Sequence, residues 1–197
     1  MHALSKGGEW TVGVGRIDEL DTTAAPAAVQ RYVAAVATPP TADGGLYPGS
    51  PALLRATIRP GDHLTLCEIA EEPRTKLEQF YAGDGAVSVR GGDGLARLRS
   101  MAAEVPTGLA AFIDPPFVSK DEWKQVAETV LAVAGRNPNA SLAVWYPIKS
   151  LMRPQVLAAA VREANIPAAT VDLITAPLRE KRRALNGSGL LLVRPPD

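Results

Sequence analysis

Leu109-Ala110-Ala111-Phe112-Ile113-Asp114-Pro115-Pro116-Phe117 is the stretch on which the reading of this chain turns. Five apolar residues in a row are expected to form a buried strand, so an acid is delivered to a strand end. Pro115 and Pro116 then fix the backbone and bias the residue before each of them towards an extended conformation. The Asp114 carboxylate, the Pro115 carbonyl and the Phe117 ring are thereby expected in one small, stiff constellation. Such a constellation suits chemistry on a flat, amine-bearing ring. The exocyclic amine of adenine is a poor nucleophile, because its lone pair is delocalised into the ring. Acceptors aimed at its two protons would help it attack a methyl donor, and an aromatic ring could stack on the base once it is unstacked. The plain alternative is a strand followed by a proline turn. From average residue frequencies, this order of residues would arise by chance in only about one chain of this length in several hundred, which favours the functional reading.

Working outward, Ser119 and Glu122 have the spacing of a capping box. The helix they open keeps Trp123, Val126, Val130, Leu131 and Ala134 at helical spacing. Ser141 to Trp145 reads as the next strand, Pro154 to Ala164 as a helix, and Ala168 to Ile174 and Gly189 to Val193 as later strands. Upstream, Leu64 to Glu68 and Ala86 to Val89 read as strands. Glu72 to Tyr81 reads as a helix with Leu77, Phe80 and Tyr81 inward, and Asp93-Gly94 opens a helix to about Ala103. Strands and helices in alternation mean an α/β fold with a mostly parallel sheet and helices on both faces. Nearer the amino terminus, Thr23 is expected to cap and Pro26 to open a helix with Val29, Tyr32, Val33 and Val36 on one face. Ser50 and Pro51 are expected to cap and open a short helix to about Ile58. Residues 1 to 23 read as loop, with a helical piece around Arg16 to Leu20.

A chain of 197 residues supports one domain with a full core, with 1–60 as a region of loops and helices and 61–197 as the α/β core. Lys plus Arg balance Asp plus Glu at 21 each, so no broad cationic field draws the chain to nucleic acid or to an anionic membrane. Any nucleic-acid contact must be local. One cysteine, Cys67, excludes an internal disulfide and a thiolate metal cluster, and its apolar run predicts a buried thiol. The sequence carries no apolar run of signal-peptide or membrane-spanning kind, so a soluble, cytoplasmic protein is expected, with a monomer as the simplest state.

Glu68, Asp93 and Asp114 share an address at or just past the carboxyl ends of consecutive strands, the edge at which open parallel sheets bind ligands. A carboxylate after one strand can accept from both ribose hydroxyls, and one after the next can accept from an adenine amine. A nucleoside-bearing cofactor would suit them. Glu68 could equally be the polar end of a strand, and Asp93 the N-cap of a helix. Gly13-Val14-Gly15 lacks the preceding strand and third glycine of a phosphate loop and reads as a turn. His2 and His63 have no complementary ligands near them in sequence, so no metal is expected. Arg179, Lys181, Arg182 and Arg183 could touch phosphates or form a solvated loop.

Several segments together resemble the RlmJ-type methyltransferases, which modify an adenine N6 of 23S ribosomal RNA. They are Gly8-Glu9-Trp10 with Gly15-Arg16-Ile17, Leu46-Tyr47-Pro48-Gly49-Ser50-Pro51, Leu64 to Glu68, Asp93-Gly94, Ile113 to Phe117, Ala143-Val144-Trp145-Tyr146-Pro147, and Gly187-Ser188-Gly189 with Pro195-Pro196. The resemblance implies a class I, Rossmann-like methyltransferase fold in which Ser50, Glu68, Asp93, Gly94 and Asp114 contact S-adenosyl-L-methionine. It also implies Asp114 as the catalytic acceptor, and Pro115 and Phe117 as residues binding the target base. In that family a first strand and a cofactor-cradling loop precede the Gly-Glu-Trp region, so the first strand is expected to be missing here. The residues alone leave two other readings open: a non-catalytic remnant or nucleotide- or RNA-binding protein, and a nicotinamide-dependent oxidoreductase.

Overall fold

A computed structural model describes residues 2–3, 21–37, 46–150, 152–175 and 185–196. The Gly13-Val14-Gly15 turn, the helical piece near Arg16, and the basic run from Arg179 to Arg183 lie outside the described residues. The chain falls into two compact units, Met1–Gly92 and Asp93–Asp197. The boundary expected near residue 60 falls inside the first of them.

In the first unit, β1 (His2–Ala3) pairs antiparallel with β2 (Leu46–Tyr47). Between them in sequence runs α1 (Ala27–Ala37), on which Val29 and Tyr32 are exposed. Thr23 does not cap this helix. Its hydroxyl and amide both donate to Asp21 Oδ1, at 2.7 and 3.0 Å, while the Pro26 carbonyl accepts the first helical bonds. In α2 (Ser50–Thr57) the cap is Gly49 rather than Ser50, and no side chain caps it; Ser50 is the first helical residue, with Pro51 next. That order leaves the proline in the first turn, where its missing N–H costs nothing.

β3 (Leu64–Glu68) and β4 (Val87–Gly91) form a parallel pair in which Glu68 sits opposite Gly91. They are joined by α3 (Glu71–Phe80), whose first turn carries Glu71 and Glu72 where the helix dipole favours anions. The expectation that Leu77, Phe80 and Tyr81 all face inward fails at Phe80, which is exposed while Tyr81 is buried. Adjacent residues on a helix point about 100° apart, so both rings cannot take the same side. Cys67 is likewise exposed and Leu66 buried, because a strand alternates its faces.

The second unit holds a four-stranded sheet of order β5-β6-β8-β7: β5 (Ala110–Ile113), β6 (Ser141–Ile148), β7 (Ala168–Ile174) and β8 (Gly187–Val193). β5 and β6 are parallel, whereas β8 runs antiparallel between β6 and β7. Among the described residues no ladder joins this sheet to the β3–β4 pair.

α4 (Gly94–Glu104), α5 (Lys120–Arg136) and α6 (Met152–Glu163) pack in sequence, α4 on α5 and α5 on α6. Ser119 caps α5 by accepting from the Glu122 amide at 3.3 Å, and Glu122 accepts in return from the Val118 amide at 2.8 Å. The reciprocal bond reaches one residue further back than in the usual capping box. The core is the seam between α5 and the sheet: Val126, Val130 and Val133 meet Val144, Ile148, Leu157 and Val193, all buried. At the end of α5 the Asn137 amide donates to Val105 O at 2.7 Å. There Arg194, the residue after β8, donates to the carbonyls of Ala134 and Asn137, which offsets the negative end of the helix.

Candidate active site

Ile113 ends β5 buried, and Asp114 is the first residue beyond it. The Asp114 side chain keeps part of its surface in solvent while protein crowds the rest, and this partial desolvation pushes its carboxyl pKa above the ordinary carboxylate value. Pro115 and Pro116 follow, and Phe117 then takes φ 50°, in the left-handed region that a bulky side chain rarely visits. Strain of this kind persists only where the surroundings over-determine it. Here the surroundings are aromatic. The Phe117 ring is buried, 4.2 Å between centroids from Trp123 in the first turn of α5, and Trp123 lies 6.3 Å from Tyr146 of β6. The left-handed turn drives the Phe117 ring under the loop while Val118 swings out to solvent.

Beside this stack lies an open cavity of about 380 Å³ lined by Phe117, Trp123, Pro147, Lys149, Ser150 and Arg153, all from the second unit. One wall is aromatic and the rim is cationic. Tyr146 is held rigid behind the stack: its hydroxyl donates to Asp172 Oδ1 at 2.6 Å, and burial first, then that bond, push its pKa up, so it stays a neutral phenol. Tyr146, Gly189 and Asp172 are cross-strand neighbours in register, and a Cβ on Gly189 would overlap the Tyr146 ring. Glycine is what lets the phenol lie across β8 and reach β7.

The remaining candidates sit at strand ends. In the first unit Glu68 closes β3, with one carboxylate oxygen accepting from the Ala70 amide at 2.8 Å. Its register partner Gly91 and the next residue, Gly92 at φ 100°, put no side chain beside it. Ser50 opens α2 in the same unit. In the second unit Asp93 caps α4 by accepting from the Leu95 amide at 2.8 Å, and Gly94 is the first residue of that helix. Capping engages one Asp93 oxygen and leaves the other. Asp114, Pro115 and Phe117 therefore share one loop, of which Phe117 lines the cavity. Glu68 and Asp93 each occupy a strand end of the kind that serves a nucleoside's hydroxyls and amine.

Sequence reasoning missed Trp123, Lys149, Ser150 and Arg153 at the cavity. Trp123 keeps the period of the core face and reads as packing. Lys149 follows the carboxyl end of β6 directly, and a cation at that edge was the available signal.

The family model described as "Ribosomal RNA large subunit methyltransferase D, RlmJ" matches residues 2–197. The chain belongs to the RlmJ family. The Escherichia coli protein "Ribosomal RNA large subunit methyltransferase J" is 27% identical over 198 residues, covering 96% of this chain and 67% of its own length. A Rhodospirillum rubrum protein named "Phosphoglycolate phosphatase" is 35% identical over 124 residues, covering 62% of this chain and 50% of its own. That match covers too little of either chain to characterise this one. A crystal structure of a Legionella pneumophila protein superposes with a TM-score of 0.83 at 22% identity, over 100% of this chain and 73% of that one. Aeropyrum pernix fibrillarin, solved with natively bound S-adenosyl-L-methionine, superposes with a TM-score of 0.50 at 10% identity, over 73% of this chain and 61% of that one. The fold is the Rossmann-like fold of class I methyltransferases, as the resemblance implies, on the α/β plan that the alternation of strands and helices predicts. An RlmJ family member on this fold is an RNA methyltransferase.

Proposed function

We propose that this RlmJ family member transfers a methyl group from S-adenosyl-L-methionine to the N6 of an adenine in 23S ribosomal RNA. The observation that carries the reading is the Asp114-Pro115-Pro116-Phe117 loop, which carries a partly desolvated acid and, three residues on, the Phe117 ring that lines a cavity with Trp123.

Taken unit by unit, the donor chemistry suits the cofactor that the family implies. In the first unit Glu68 can accept from ribose hydroxyls and Ser50 can donate; in the second the free oxygen of Asp93 can accept from an adenine amine, beside Gly94. The cofactor supplies an electrophilic methyl on a sulfonium. The chain's own residues do the rest. The Asp114 carboxylate and the Pro115 carbonyl accept from the two amine protons, which returns electron density to the nitrogen and holds it in line for displacement. The Phe117 and Trp123 wall offers a face to the unstacked base and excludes water from it. The relative's name, a large-subunit ribosomal RNA methyltransferase, supports that substrate, and a cytoplasmic enzyme acting as a monomer is consistent with it.

The test is tritiated methyl transfer to 23S ribosomal RNA from a strain lacking the activity. The chain should label the RNA, and Asp114→Asn, which keeps the shape but not the charge, should lower the rate by roughly 10²-fold or more. Equal rates would remove Asp114 from the chemistry.

A further inference from the structure

The cavity's rim carries two cations that the reaction described above does not use. Lys149 and Arg153 are exposed, and neither makes an ion pair or hydrogen bond with a described residue. Arg55 with Asp84 and Lys124 with Glu128, by contrast, are ion-paired. Lys149 and Arg153 flank Ser150, whose hydroxyl can also donate, and Arg153 lies in the first turn of α6, where backbone N–H groups are left without intrahelical partners. Trp123, which lines the same cavity, is buried, and its indole N–H has no hydrogen-bond partner. A buried donor without a partner costs free energy, roughly 1–3 kcal/mol, unless something at the site satisfies it.

Apolar rings with a donor, lining one cavity together with two free cations and a hydroxyl, have the chemistry of a nucleotide site, which needs a place for a ring and a place for a phosphate. An acidic peptide would use the cations but has no use for the aromatic wall. Resting on the RNA reading of this site, we infer that Lys149, Ser150 and Arg153 form a phosphate subsite that grips the RNA backbone next to the nucleotide whose base enters the cavity. Arg153 can present its planar fork to two phosphate oxygens, and Lys149 acts as a point charge. The subsite gives positioning as well as affinity, because a backbone fixed beside the cavity limits how the base can enter it. It also supplies what a chain with no net charge otherwise lacks, since 21 cations and 21 anions leave no general attraction for RNA.

The probe is a labelled, short single-stranded oligoribonucleotide with one adenine, titrated with the chain by fluorescence anisotropy over a salt series. Each phosphate contact on a single strand contributes about 0.7 to the slope of log affinity against log salt. Lys149→Gln with Arg153→Gln is expected to lower that slope by about 1.4 and to weaken binding at low salt. Arg136→Gln, an equal loss of charge per residue at the far end of α5, should leave the slope alone. Lys149→Arg should retain it. Both rim residues are exposed, and unchanged circular dichroism would show that the double variant is folded. An unmoved slope in the double variant, an equal fall in Arg136→Gln, or salt-independent binding by the unaltered chain would each overturn the subsite. Methyl transfer assayed on the same proteins separates the two ideas. Transfer with an unmoved slope sinks the subsite alone, and a lowered slope with no transfer sinks the proposed function alone.

Discussion

Gly189 is a single hydrogen atom where any other residue would put a carbon into the Tyr146 ring. Gly189→Ala is therefore expected to destabilise the second unit by about 1–3 kcal/mol, the usual cost of overpacking, read as a lower urea midpoint. The phenol that this glycine admits has its pKa raised, so the folded state holds the proton more tightly than the unfolded chain does. Stability should thus be intact below the ordinary tyrosine value of about 10 and fall as pH rises above it. Tyr146→Phe should flatten that alkaline loss. For Asp114 the sign concerns rate: its carboxyl pKa is raised, and acceptance needs the ionised form. The acid limb of kcat/KM should lie above the ordinary carboxylate range and disappear in Asp114→Asn. The acid itself was legible, because an apolar run followed by Asp-Pro-Pro-Phe leaves it nowhere but a strand end. The left-handed φ of Phe117 was not, since only the packing of Trp123 and Tyr146 selects it.

At the scale of elements, α5 was the most legible piece of the chain. Its cap, its apolar period and its length all point to one helix, and Ser119→Ala should cost about 1 kcal/mol in urea unfolding of the second unit. Leu157→Ala in α6 should cost more, about 2–5 kcal/mol, because it empties a fully buried site. Caps nearer the amino terminus were misplaced by one to three residues at Thr23 and Ser50. There glycine and proline geometry decides the helix start, and the nearby hydroxyls find other partners or none. Strand direction was legible only where a helix crosses between neighbours. The antiparallel insertion of β8 between β6 and β7 follows from no local signal, because the same apolar strand pairs equally well either way until its neighbours are chosen.

For the molecule as a whole, strand alternation sends Leu142, Val144 and Tyr146 to the helix side of the four-stranded sheet. Phe112, Val171 and Leu173 go to the other, where they stay substantially exposed. Exposed apolar surface of that kind binds apolar dyes. The chain should enhance the fluorescence of anilinonaphthalene sulfonate, and Leu173→Lys should reduce that enhancement with little change in unfolding midpoint. Balanced charge was legible in the sequence, and it leads to the expectation that contacts with RNA are local. The cationic rim that would make them was not, since Lys149 and Arg153 acquire a common purpose only when β6 and α6 are folded beside the aromatic stack. If the Asp114 loop presents an adenine amine to a methyl donor, digesting the methylated 23S ribosomal RNA to nucleosides and identifying the labelled one by mass spectrometry should give N6-methyladenosine with the unaltered chain and almost none with Asp114→Asn. Label on another base or atom, or undiminished N6-methyladenosine from the variant, would rule that role out.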